Sequence, residues 1–70
     1  MFDLTERQET ILGFIREYIN ENGYPPTVRE IGKGAGLHSP ATVHRHLANL
    51  ESLGLFTRDP SKPRTIEMKV

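Results

Sequence analysis

Cysteine is absent from these 70 residues, which excludes disulfides, thiolate nucleophiles and zinc sites built on sulfur. Tryptophan is absent too, and aromatic residues make up only 7% of the chain. No apolar run approaches the roughly 18 residues that read as a membrane span. The start, Met1-Phe2-Asp3, lacks the basic opening of a signal peptide. Net charge is missing as well, since nine basic residues balance nine acidic ones. Together these absences predict a soluble module of the cytoplasm with no membrane partner.

What is present fits one small domain spanning residues 1–70. Apolar residues are 36% and charged residues 26%, ordinary for a folded chain and too apolar for disorder. At this length folding buries only about 60% of the surface of the open chain, so stability is expected to be marginal. The charges are unevenly distributed. Residues 1–26 hold two basic and five acidic side chains, residues 27–70 seven basic and four acidic. A neutral molecule can therefore still present a basic face.

Thr5-Glu6-Arg7-Gln8 reads as a capping box, and Ile11, Leu12, Ile15, Tyr18 and Ile19 behind it form one helical stripe. Gly23 supplies a left-handed end and Pro25-Pro26 blocks continuation, which predicts a helix over 6–22. A second box, Thr27-Val28-Arg29-Glu30, opens a short helix over 28–35. Gly32, Gly34 and Gly36 each cost about 1 kcal/mol relative to Ala inside a helix, so this element should be the softest. After the turn at Gly36-Leu37-His38, Ser39 is placed to cap and Pro40 to start a third helix over 40–53, ending before Gly54. Two helices joined by a short turn containing Gly make a helix-turn-helix. The rest, about 55–69, reads as a hairpin around Asp59-Pro60-Ser61-Lys62-Pro63, with Ile66, Met68 and Val70 on one face. The expected fold is mainly α with a β element (α+β): a three-helix winged helix-turn-helix with a C-terminal two-stranded β-hairpin wing.

The third helix has two sharply different sides. At about 100° per residue from Val43, Leu47 falls near 40° and Leu50 near 340°, with His46 and Leu53 at the margin of this buried side. Opposite them stand Ala41, Arg45, Ala48 and Ser52, flanked by Thr42, His44 and Asn49. Two alanines around one long cation let a backbone approach a groove floor, where Arg45 can reach a guanine edge in bidentate fashion. His44 points outward and can donate to a phosphate or a base. His46 is expected to be partly buried and hydrogen-bonded inside the fold. His44 and His46 cannot share a metal, because an i, i+2 pair diverges on a helix and no carboxylate completes a set; no metal or other cofactor is expected. Arg58, Lys62 and Arg64 put three cations on the wing, suited to phosphate contacts that fix the docking angle. The alternative role for that charge is to protect an exposed strand edge. Gly32-Lys33-Gly34 lacks the strand and the Lys-Ser/Thr pair of a phosphate loop.

These features, in order, resemble the N-terminal DNA-binding domain of LexA-type repressors, regulators of the bacterial SOS response, in their Gram-positive style. The resemblance rests on Leu4 to Gln8, Gly23 to Gly32, Thr42 to Leu47 and Arg58 to Glu67, and so runs along essentially the whole chain. It implies that Ser39, Ala41, Thr42, His44 and Arg45 read the operator, with the wing against the DNA backbone or the minor groove. Thr27, Arg29 and Asn49 join Arg58, Lys62 and Arg64 as expected backbone contacts. The implied partner is double-stranded DNA carrying a palindromic operator, one domain to each half-site, with homodimers formed in the full-length protein or on DNA. The family's second domain, which carries self-cleavage and the main dimer surface, has no counterpart in these 70 residues. Gly34 stands where many relatives carry a stronger helix former, which leaves the length of the second helix open.

Two other classes compete. A winged helix that binds protein, or another winged-helix regulator, uses the same scaffold, but a protein-binding version calls for a broad exposed apolar patch that the sequence lacks. An enzyme is disfavoured by the absence of cysteine and of paired carboxylates, and a domain this small has little room for a small-molecule substrate pocket. Ser39 beside His38 or His44 is better explained as a cap than as a nucleophile.

Overall fold

The computed structural model describes residues 4–59 and 61–69. Met1-Phe2-Asp3, the Pro60 of the expected turn and the Val70 of the expected strand face lie outside the described residues. Three helices come first: α1 (Glu6–Asn22), α2 (Val28–Ala35) and α3 (Pro40–Ser52). Two short strands follow, β1 (Phe56–Thr57) and β2 (Glu67–Met68), paired antiparallel with Phe56 opposite Met68 and Thr57 opposite Glu67. This is the winged helix-turn-helix order anticipated from the sequence.

Both capping boxes form. Thr5 Oγ1 accepts from the Gln8 amide at 3.1 Å while Gln8 Oε1 accepts from the Thr5 amide at 3.0 Å. The pair Thr27 and Glu30 repeats this at 3.2 and 2.8 Å. Each box satisfies amides that a helix start otherwise leaves open. α1 and α2 both close on glycines in the left-handed region, Gly23 at φ 80° and Gly36 at φ 72°. Past Gly36 the Leu37 amide donates to the Gly32 carbonyl at 2.8 Å, which tightens the turn between α2 and α3. Arg7 of α1 donates to the carbonyl of Ala35 at 2.8 Å and so occupies an acceptor at the end of α2.

The core lies where α1, α2, α3 and the root of the wing meet. Ile11, Leu12 and Ile15 of α1 face Ile31 and Ala35 of α2, Val43, Leu47 and Leu50 of α3, and Leu55, Phe56 and Ile66 of the wing. Burying each large side chain there is worth about 1.5–3 kcal/mol. Tyr18 and Ile19, read as part of the α1 stripe, are half-buried at its edge.

Three local features depart from expectation. The wing has only two residue pairs in ladder register. Its turn is held by one backbone bond, from the Lys62 amide to the Asp59 carbonyl at 3.1 Å, and by side chains: Thr65 Oγ1 accepts from the Asp59 amide at 2.9 Å, and Asp59 Oδ1 accepts from the Ser61 amide at 3.0 Å. Leu53, expected at the margin of the leucine face, is 38% exposed, because α3 ends at Ser52 and the chain swings away through Gly54 at φ 80°. Gly34, read as a weak point of α2, permits a close approach. A Cβ there would fall within the ring of Phe14 on α1, 2.6 Å from Cζ.

That contact reverses the effect ordinarily expected of a helix glycine. Gly34→Ala gains about 1 kcal/mol in helix propensity alone, yet it overpacks against Phe14 and is expected to lower stability by about 1 kcal/mol net. In a Phe14→Ala background the same change should raise stability. Urea midpoints of the four proteins check this, and a gain from Gly34→Ala with Phe14 in place would refute it.

Candidate nucleic-acid interface

Burial of Val43, Leu47 and Leu50 fixes the roll of α3, and everything displayed on its far side follows from that. Ala41, His44, Arg45, Ala48, Asn49 and Ser52 are exposed, and Thr42 is half-buried. Arg45 makes no hydrogen bond or ion pair to another described residue. Its guanidinium therefore stands free between two methyl-sized neighbours, one turn either side.

Ser39 occupies the N-cap position of α3 but its side chain makes no capping hydrogen bond, which corrects the role expected for it. Its backbone ψ is 120°, against 160° and 166° at Thr5 and Thr27, the two caps that do close. The Ser39 hydroxyl is thus free at the positive end of the helix, beside the exposed Ala41. This end of α3 opens onto a groove of about 460 Å³ between α2 and α3, into which Arg29, Lys33 and His38 also face. Lys33, weighed in the sequence only as part of a phosphate loop, stands at i, i+4 spacing from Arg29, which puts the two cations on one face of α2.

His44 lies across a narrow cleft from the wing, in company with Thr27, Arg58, Lys62 and Arg64. The Thr27 hydroxyl already serves as the α2 cap. His46 is half-buried as expected, but its Nδ1 is buried with no hydrogen-bond partner among the described residues, which corrects the internal bond assigned to it. Asn49 is exposed on the flank of α3.

The wing cations are not equivalent. Arg58 donates from Nε to Glu51 of α3 at 3.2 Å, with its side chain only 12% exposed. Arg64 pairs with Glu30, its Nη1 3.0 Å from Oε1 and its Nη2 3.2 Å from Oε2. Both were expected to face the DNA backbone, and both are held by carboxylates of the fold. Lys62 is exposed and makes no ion pair among the described residues, as a phosphate contact requires.

Glu30 is the most perturbed acid of this region. The Thr27 amide that it accepts in the capping box, followed by the bond from Arg64, holds its carboxyl down to about 2 from an ordinary 4.5. A depressed carboxyl takes up fewer protons when folded than when unfolded. Its contribution is therefore complete above about pH 5 and is lost as the pH falls through 4.5 toward 2. Asp59, lowered by its bonds from the Ser61 hydroxyl and amide, adds to the same trend. Glu30→Gln is expected to flatten the decline in melting temperature between pH 5 and pH 2 relative to the parent. An unchanged acid limb in the variant would show that Glu30 does not carry it.

Comparison with known proteins bears directly on this arrangement. The profile of the LexA DNA binding domain family matches residues 1–65. The LexA repressor of Carboxydothermus hydrogenoformans is 57% identical over 65 residues, which cover 93% of this chain and 32% of that protein. The LexA repressors of Brevibacillus brevis and Bacillus licheniformis are 56% and 57% identical over 68 residues, covering 97% of this chain and 33% of each of them. The chain thus spans about a third of the length of these relatives. With the helix order, both capping boxes and the wing in place as well, the chain belongs to the LexA DNA-binding domain family.

Proposed function

We propose that these 70 residues form one winged-helix domain that binds duplex DNA with sequence preference, as the operator-binding part of a LexA-like repressor of the SOS response acting in the bacterial cytoplasm. The observation that carries the reading is the outward strip of α3, with an unpaired Arg45 between Ala41 and Ala48 and no apolar patch in its place. α3 enters the major groove from its Ser39 end. Ser39, Ala41, Thr42, His44 and Arg45 face the base edges, with Arg45 the strongest discriminator through a bidentate bond to guanine. Lys62 on the wing, Arg29 and Lys33 on α2, and Asn49 contact phosphates, which set orientation without reading sequence.

Two copies occupy a two-fold symmetric operator, one on each half-site. Each copy binds weakly when alone, since a tether between two DNA-binding modules is what raises their effective concentration. The domain acts by occupying its site, and the residues brought together on α3 and the wing are suited to holding an anion rather than to acid-base or nucleophilic catalysis.

Selection of duplexes from a random pool, followed by anisotropy titrations on the enriched and a scrambled duplex at two salt concentrations, tests the reading. A palindromic enrichment with steep salt dependence is the expected result. A flat salt response would indicate a protein-binding module instead. Arg45→Ala should cost about 1–3 kcal/mol and relax preference at one base position, whereas Lys62→Ala should weaken all duplexes alike and lower the salt slope by about 1. Intact discrimination in Arg45→Ala would place the reading face elsewhere.

A further inference from the structure

Arg64 projects from the wing, and its guanidinium lies back against the surface of the helical body. Besides the two bonds to Glu30, Nη1 lies 3.1 Å from the Tyr18 hydroxyl and 3.2 Å from the Pro25 carbonyl. The guanidinium carbon sits 4.8 Å from the centre of the Tyr24 ring, within reach of a cation–π contact. Tyr18 in turn donates to Glu30 Oε2 at 3.1 Å, and its ring meets Tyr24 edge-on at 5.9 Å. One side chain of the wing therefore bridges α1, the loop that follows it, and α2.

The wing needs such a tie. Its ladder is two residue pairs long, and a ribbon that short has little intrinsic resistance to swinging about its base. Arg64 holds the far limb of the turn, and across the cleft from it stand His44 of α3 and Thr27 at the start of α2. Lys62, which makes no ion pair among the described residues, lies two residues before it. The angle of Lys62 to α3 is thus set from Glu30, which also caps α2.

We propose that Arg64 is a positioning residue for DNA docking: a latch that locks the wing turn to the corner between α1 and α2 and thereby fixes where Lys62 meets the duplex. This rests on the DNA-binding reading above. It differs from a phosphate contact in what each substitution does. A phosphate contact by Arg64 would survive in Arg64→Lys, because lysine still binds phosphate as a point charge, whereas a latch built on a two-pronged bond to one carboxylate and on a forked donor that also reaches Tyr18 and Pro25 would not. Glu30→Gln keeps the capping box, in which glutamine also serves, and deletes a negative charge near the DNA side. Simple electrostatics makes that change tighten binding, and the latch makes it weaken binding.

The test uses the 70-residue chain and the duplex it enriches from a random pool, with affinities measured by anisotropy across a salt series below the melting temperature of every variant. Arg64→Lys and Glu30→Gln are each expected to weaken binding roughly three- to thirtyfold, inside the range that coupled contacts show. Arg64→Lys should lower the salt slope by no more than the drop of about 1 expected for Lys62→Ala, because the latch acts on that one contact. The loss caused by Arg64→Lys should shrink in a Lys62→Ala background, because the latch acts through Lys62; a general loss of fold stability would cost the same in both. Parental affinity in Arg64→Lys, tighter binding in Glu30→Gln, or equal losses in the two backgrounds would each overturn the latch. A parent chain without salt-dependent binding to the duplex would overturn the DNA-binding reading itself, and the latch with it.

Discussion

The rotational setting of α3 about its own axis is the constraint on which the rest of this molecule depends. Val43, Leu47 and Leu50 have one way to leave water, against Ile11 and Ile15 from α1, Ile31 from α2 and Phe56 from the wing. A side chain on the opposite side of the helix then has no choice of direction. A slip of one residue in that packing would expose a leucine and bury a guanidinium, and an unpaired buried charge is among the costliest defects a small domain can carry. The apolar contacts that stabilise the fold and the outward display of Arg45 are thus one physical fact seen from two sides.

Around that core, a few carboxylates act as joints. Glu51 holds Arg58 and Glu30 holds Arg64, so the wing is fastened at both limbs to helices that precede it. Exposed ion pairs contribute little to stability one by one, and their importance here is geometric. Among the cations of the wing they leave Lys62 unencumbered, which divides the labour between side chains that hold the wing and one that faces outward. Acidic residues are also concentrated on α1, with Glu6 and Glu9 in its first turn, where they complement the helix dipole.

Much of this architecture was legible in the sequence because its signals are local. A threonine three residues before glutamine or glutamate marks a helix start by itself, and both boxes form. The leucine spacing of α3 states its buried side without reference to any other element, and it correctly puts Arg45, His44 and Ala41 in the open. What the sequence did not announce has a different cause. Arg64 and Glu30 are 34 residues apart, so nothing near Arg64 in the chain announces that its charge is engaged. The same holds for Phe14 and Gly34, where a residue that looks like a flaw in α2 is the space another helix occupies. Ser39 failed as a cap through a backbone angle, and His46 kept an unpartnered nitrogen, which no pattern of residue types encodes. Local rules thus fixed the outward side of α3, while the engagement of the wing cations depended on tertiary contacts.

Arg64 is the non-glycine residue in the described chain with a left-handed backbone, at φ 55°. Such a conformation costs an ordinary L-residue on the order of 1 kcal/mol. Glycine or asparagine would relieve the main chain there, but neither could span the distance to Glu30 and Tyr24. Position 64 therefore answers two opposed demands, a comfortable turn and a long forked cation, and the cation has prevailed. A glycine there would ease the main chain and at the same stroke release the wing from Glu30 and Tyr24, so backbone comfort and anchorage exclude one another at this position.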